Sequence, residues 1–234
     1  MKYNYINIKT IGFDADDTLW VNDTYFRDAE NEIAKLMAPY ETANKIDQEL
    51  FKMEMKNLSL YGYGVKGFML SMVEMALEIS NYSISNEKIM KILEIGKDML
   101  EKPVELLDGV EDILKKLYKD YKLILLTKGD LLDQERKLEK SGLTDYFHHI
   151  EILSDKKEKN YSNFLKSMEI KPEEFLMVGN SLKSDILPIV KLGATAVHIP
   201  FHTTWLHEQV KEVKDSTEYA TLRSLVQLDE LLSQ

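Results

Sequence analysis

The sequence predicts an α/β protein: a mainly parallel sheet covered by helices on both faces, interrupted by an all-helical insert. Three observations carry this expectation. Short apolar runs of strand length alternate with helix-like stretches, the pattern of a parallel sheet buried on both sides. Residues from about 22 to 100 are almost wholly helical in pattern and follow directly on the first strand. The chain, at 234 residues with 44% hydrophobic and 30% charged residues, is long enough and apolar enough for one substantial core.

The first strand is "NIKTIGFD", where Ile11 and Phe13 alternate towards its end. Four helical stretches follow: "NEIAKLMAPYE", "IDQELFKMEMKNL", "KGFMLSMVEMALEI" and "SNEKIMKILEIGKDML". Their apolar residues recur three or four apart. Ser85 is expected to cap the last of them, with Glu87 facing the positive end of the helix dipole. Lys88 stands where a full capping box would need Glu or Gln. The methionines of this region read as adaptable helix packing. "SLYGYGVKG", residues 59–67, breaks the helical pattern. It reads either as a surface helix–helix turn or as a turn carrying Tyr61 or Tyr63 towards a cleft.

Pro103 and Gly109 punctuate the return, and "VEDILKKLYKD" reads as a helix. Further strands are expected at "KLILLT", "HHIEIL", "EFLMVG" and "GATAVHI". The resulting division is a core segment at 1–20, a helical insert at 21–102 and a second core segment at 103–234. Ligands of such sheets bind outside the carboxyl ends of the strands, which is where the insert enters, so it is expected to act as a cover.

Composition narrows the partners. A net charge of −10 disfavours nucleic acid and anionic membrane, and no run approaches the ~20 apolar residues of a membrane span. "MKYNYINIKT" does not read as a secretory signal, and the absence of cysteine removes disulfides and thiol nucleophiles. A cytoplasmic enzyme with a small anionic substrate is the expectation, as a monomer or homodimer.

The chemistry starts at "FDADDTLW", residues 13–20, where Asp14, Asp16 and Asp17 crowd the end of the first strand. Three carboxylates so close repel one another unless a cation or a proton intervenes. Asp14 and Asp16 are spaced to address one site, Asp14 as nucleophile and Asp16 as acid/base group. Asp17 is expected to cap the following turn, and Thr18 to orient the loop. "LTKG" puts Thr127 at another strand end, with its hydroxyl available to a phosphoryl oxygen, Lys128 as a nearby cation and Gly129 allowing close backbone approach. "SDKKEKNY" offers Lys156, Lys157 and Lys159 as partners for the nucleophilic carboxylate. "EFLMVGNSLKSD" offers Asp185 as a carboxylate for a divalent cation and Asn180 as a neutral oxygen in support. Such hard oxygen ligands suit Mg2+. In that stretch Ser181 reads as a helix cap, and Ser184 as a residue positioning the loop. His148, His149, His198, His202 and His207 do not space as a metal cluster.

These four blocks, in this order, resemble the haloacid dehalogenase-like (HAD) hydrolase superfamily. "DADDT" is similar to its Asp-x-Asp-x-Thr first motif, "LLT" to the second, "LSDKKEKNY" to the third and "VGNSLKSD" to a variant of the fourth. The resemblance covers about 8–199 and implies a Rossmann-like core with a helical cap. It implies magnesium-dependent hydrolysis of a small phosphorylated metabolite, with Asp14 becoming an aspartyl-phosphate and Asp16 acting as general acid/base. Thr127 would hold phosphate. Lys156 would be the third-motif lysine, by its spacing to the fourth motif, with Lys157 the alternate. Mg2+ would meet the Asp14 carboxylate, the Asp16 backbone carbonyl and Asp185. Asn180 stands where the family often has aspartate, which lowers the negative charge at the metal. Dehalogenases of the superfamily generally lack the second aspartate, so Asp16 favours a phosphatase. Phosphomutases share both aspartates and stay an alternative, as does a non-catalytic phosphate-binding protein.

Overall fold

The structure is a computed structural model that describes residues 5–210 and 218–233, so the first four residues of the amino-terminal stretch read above lie outside it. Strands β1 (Thr10–Phe13), β2 (Lys122–Lys128), β3 (His149–Leu153), β4 (Phe175–Gly179) and β5 (Thr195–His198) fall on the five apolar runs. A sixth, β6 (Ala220–Thr221), is two residues long, too short to leave a periodic signal. All pair in parallel, in the order β3-β2-β1-β4-β5-β6.

Nearly continuous apolar sequence in β2 and β4 follows from burial on both faces, since successive side chains point to opposite sides of a strand. Leu123, Leu125, Leu176 and Val178 face one core with Ile11 and Phe13. Ile124, Leu126, Phe175 and Met177 face the other. The first core is closed by helix α5 (Val110–Leu117), by Leu138 of α6 (Leu131–Ser141) and by Leu228 of α9 (Leu228–Leu232). The second is closed by α7 (Glu158–Ser167), through Tyr161, Phe164 and Leu165, and by α8 (Leu187–Lys191), through Ile189. The alternating helix–strand order therefore yields the expected Rossmann-like core.

The chain divides into two compact units, and the second comprises Thr24–Pro103 together with Gly129–Glu135. Most of it is four helices: α1 (Asp23–Met37), α2 (Ala43–Tyr61), α3 (Val65–Ile79) and α4 (Asn86–Glu101). Their core is Ile33, Met37, Ile46, Leu50, Phe68, Met72, Met75 and Ile92, so the methionines do pack helix against helix. The Ser85 hydroxyl accepts from the Lys88 backbone N–H at 3.3 Å and caps α4. Residues 62–64 are a turn between α2 and α3, and the Tyr61 hydroxyl donates to Glu74 at 2.7 Å within the same unit.

Candidate active site

The register sets the site. β1 lies between β2 and β4, with Phe13 opposite Leu125 on one side and Val178 on the other. Asp14, the next residue, donates its backbone N–H to the Val178 carbonyl at 2.9 Å and so stays tied to the sheet. Its carboxylate is buried and held from two sides. Thr18 donates its hydroxyl to Oδ2 at 2.9 Å, and Lys156 donates its ammonium to Oδ1 at 2.5 Å. The same ammonium lies 2.7 Å from Asp185 Oδ1. Lys156 thus joins three strand-end segments that are remote in sequence.

Lys156 and Asp185 are each 1% exposed, whereas Lys157 is 77% exposed and pairs with Asp155. Burial disfavours the ammonium, but Asp14 and Asp185 outweigh it and raise the Lys156 pKa, so the lysine stays charged. Asp14 goes the opposite way from an ordinary carboxylate. Burial and then the Asp185 carboxylate push it up to about 7, against the pull of Lys156.

The three crowded aspartates are each given a different partner. Asp16 Oδ1 accepts from the Trp20 indole N–H at 2.7 Å and from Lys137 at 2.6 Å. Lys137 also donates to Asn22 at 3.1 Å. Asp17 adopts φ 63° and accepts the backbone N–H groups of Asn22 at 2.8 Å and Asp23 at 3.0 Å, the expected cap. Burial, and then Asp16, push Asp17 up to about 8 despite those donors.

Asp185 sits in a single π-helical turn, Leu182–Ile186, directly after β4. Its Oδ2 accepts the Ser181 N–H at 3.0 Å. Ser181 caps this turn, its hydroxyl accepting from the Ser184 N–H at 3.0 Å. Gly179 must lack a side chain here: a Cβ would lie 2.4 Å from the Asp185 Cγ. Asn180 donates its N–H to the Thr18 hydroxyl at 3.1 Å, and its carbonyl meets His198 Nε2 at 3.0 Å. Burial lowers the His198 pKa, so this neutral ring donates to the carbonyl.

Thr127 is buried at the end of β2. Lys128, expected as a nearby cation for an anionic substrate, pairs with Glu208 at 2.5 Å and donates to Ser184 at 2.8 Å. Lys137, Trp20 and Glu208 were not legible as site residues. Lys137 lies on a helix face whose direction spacing alone does not give, and Glu208 lies outside all four motifs.

Among the described residues, no three His, Cys, Asp or Glu side chains gather as a metal cluster. The donor set that the resemblance implies is of another kind, two carboxylates and the backbone carbonyl of Asp16. Asp14 and Asp185 together carry one more negative charge than Lys156 offsets, and that second carboxylate adds to the push that burial gives Asp14. Hard oxygens with uncompensated negative charge fit Mg2+.

The profile of the haloacid dehalogenase-like hydrolase family matches residues 8–193. A crystal structure of a haloacid dehalogenase-like family hydrolase from Xanthomonas campestris superposes with a TM-score of 0.88 and 34% identity, covering 97% of this chain and 91% of that one. Mouse N-acylneuraminate-9-phosphatase is 24% identical over 212 residues, 86% of this chain and 83% of its own. Pyrococcus furiosus glyceraldehyde 3-phosphate phosphatase is 32% identical over 133 residues, 54% of each chain.

Proposed function

The chain belongs to the haloacid dehalogenase-like hydrolase family and is an enzyme of its hydrolase/phosphatase class; on that premise we propose that it hydrolyses a small phosphomonoester through an aspartyl-phosphate on Asp14. The observation that carries the reading is the buried Lys156 ammonium shared by Asp14 and Asp185, with Thr18 holding the other oxygen of Asp14. An aspartate so held has a fixed line of attack, and its two donors restrict rotation of the carboxylate.

In the first step an Asp14 oxygen bonds to phosphorus while the bond from phosphorus to the ester oxygen breaks. Protonated Asp16 gives its proton to the departing alkoxide. The Lys137 ammonium and the Trp20 N–H already hold one oxygen of Asp16, so they stabilise the carboxylate that this transfer leaves. In the second step water attacks phosphorus, Asp16 takes a proton from that water, and Asp14 leaves as a carboxylate. Inorganic phosphate is released and both aspartates return to their starting states. Thr127, at the end of β2, is the proposed hydroxyl donor to a phosphoryl oxygen. Mg2+, held by Asp14, the Asp16 carbonyl and Asp185, would offset the charge of the phosphoryl group.

Two relatives are named as phosphatases of small phosphorylated metabolites, N-acylneuraminate 9-phosphate and glyceraldehyde 3-phosphate, which supports a substrate of that size and charge. The test is phosphate release from p-nitrophenyl phosphate with Mg2+ and with chelator, for the wild type and Asp14→Asn. Turnover is expected to need the metal and to vanish in the variant, with the fold retained. Turnover by folded Asp14→Asn would remove the proposed nucleophile, and halide release from a haloacid would move the reading to dehalogenation.

A further inference from the structure

Glu208 lies on a turn, Leu206–Glu208, that no motif touches, yet its side chain is only 11% exposed. Its Oε1 accepts from Lys128 at 2.5 Å, and its Oε2 accepts from the hydroxyls of Ser181 and Ser184 at 2.6 Å each. Burial opposes the charge, but Lys128 and the two hydroxyls overcome it and hold Glu208 at about 2. Both hydroxyls are used twice. Ser181 Oγ also accepts the Ser184 N–H at 3.0 Å, and Ser184 Oγ also accepts from Lys128 at 2.8 Å. One carboxylate therefore gathers the end of β2 and both ends of the turn that leads into Asp185. The path onward is short, because the Ser181 N–H donates to Asp185 Oδ2 at 3.0 Å.

We infer that Glu208 is a positioning residue for the metal carboxylate: through Ser181 and Ser184 it fixes the turn that aims Asp185, and through Lys128 it anchors that turn to β2. The inference rests on the proposed metal role of Asp185. Partners bonded directly to a ligand typically change metal affinity by about 10- to 100-fold when removed, and Glu208 stands one bond further out, behind Ser181.

The test is calorimetric titration of Mg2+ into the purified full chain, with melting curves alongside. Glu208→Ala is expected to raise the Mg2+ dissociation constant by up to about 10-fold, the lower end of that range. Glu208→Gln keeps acceptor oxygen but loses the charge, and is expected to raise it less. Ser181→Ala cuts the same path from its other side, so combining it with Glu208→Ala adds little, since both break one connection. A residue that merely holds the fold together would lower the melting temperature and leave the dissociation constant alone. If Glu208→Ala does not fold, Glu208→Gln and Ser181→Ala carry the comparison. Folded variants that bind Mg2+ as tightly as the wild type overturn the inference while the proposed function stands. A wild type that takes up no Mg2+ overturns the metal reading itself, and the inference falls with it.

Discussion

Replacing Lys156 with methionine keeps most of the side-chain length and removes the charge. In the wild type Nζ lies 2.5 Å from Asp14 and 2.7 Å from Asp185, and both carboxylates are buried away from the water that would replace the ammonium. Removing one partner of a buried pair costs roughly 3–5 kcal/mol, because the other charge is left uncompensated. Here two charges are left, and Asp14 can shed its charge by taking a proton. Asp14 has its pKa raised in the folded chain from 3.8 to about 7, so the native state binds that proton more tightly than the unfolded state. Its contribution is fully present below the unfolded pKa and is lost as pH rises through the folded value. Without Lys156 the folded value moves further up, so more stability is lost on going to alkaline pH. The deficit of the variant is therefore expected to reach about 3–5 kcal/mol at pH 8 and to shrink at pH 5.5. At roughly 2–4 °C per kcal/mol for a chain of this size, that is a melting shift of order 10 °C. Urea unfolding at both pH values, followed by circular dichroism, measures it. Adding Asp185→Asn to the variant is expected to return part of the loss, since one of the stranded charges disappears. Equal stability at pH 8, or a deficit that grows on acidification, would refute the electrostatic account.

Asp16→Asn is expected to lose about 10²- to 10⁴-fold in kcat/KM, which reports the first step, on an alkyl phosphate but far less on p-nitrophenyl phosphate, whose leaving group departs without a proton. Equal losses on both would rule out the acid role. Glu208 has its pKa lowered from 4.5 to about 2 in the fold, so its stabilisation is present above the unfolded value and is lost as pH falls through the folded one. That drop corresponds to about 3 kcal/mol, and Glu208→Gln is expected to show a flatter stability profile between those two pH values; parallel profiles would count against it. Gly179→Ala puts a Cβ 2.4 Å from the Asp185 Cγ, so it is expected to cost ~1–3 kcal/mol and most of the turnover. Wild-type melting and activity in that variant would show that the turn yields freely.

The candidate strand ends were legible because a parallel sheet writes them plainly: an apolar run, then a polar residue. Asp14, Thr127 and Asp185 each stand at or just beyond such a run. The choice of Lys156 over Lys157 came from family spacing, and burial now separates the two neighbours physically. What spacing does not encode is where a helix face or an irregular turn comes to lie. Lys137 meets Asp16 across 121 residues of sequence, and Glu208 meets Lys128 across 80. Both are ordinary charged residues in their own neighbourhoods. The counter-charge of Lys128 likewise arrives from a segment with no motif. The grouping of Gly129–Glu135 with the helical unit was equally hidden, because those residues continue an element that starts like any strand-to-helix crossing.

The central place of β1 has a consequence for how the molecule is made. Thr10 pairs with Lys122 on one side and with Phe175 on the other, so the strand leading to Asp14 leaves the ribosome long before either neighbour exists. The helices of the second unit have their own apolar core and are complete, apart from the short 129–135 stretch, before β2 is translated. The sheet thus closes only after the helical unit is made, and the acidic cluster meets its lysine only after 156 residues have been joined.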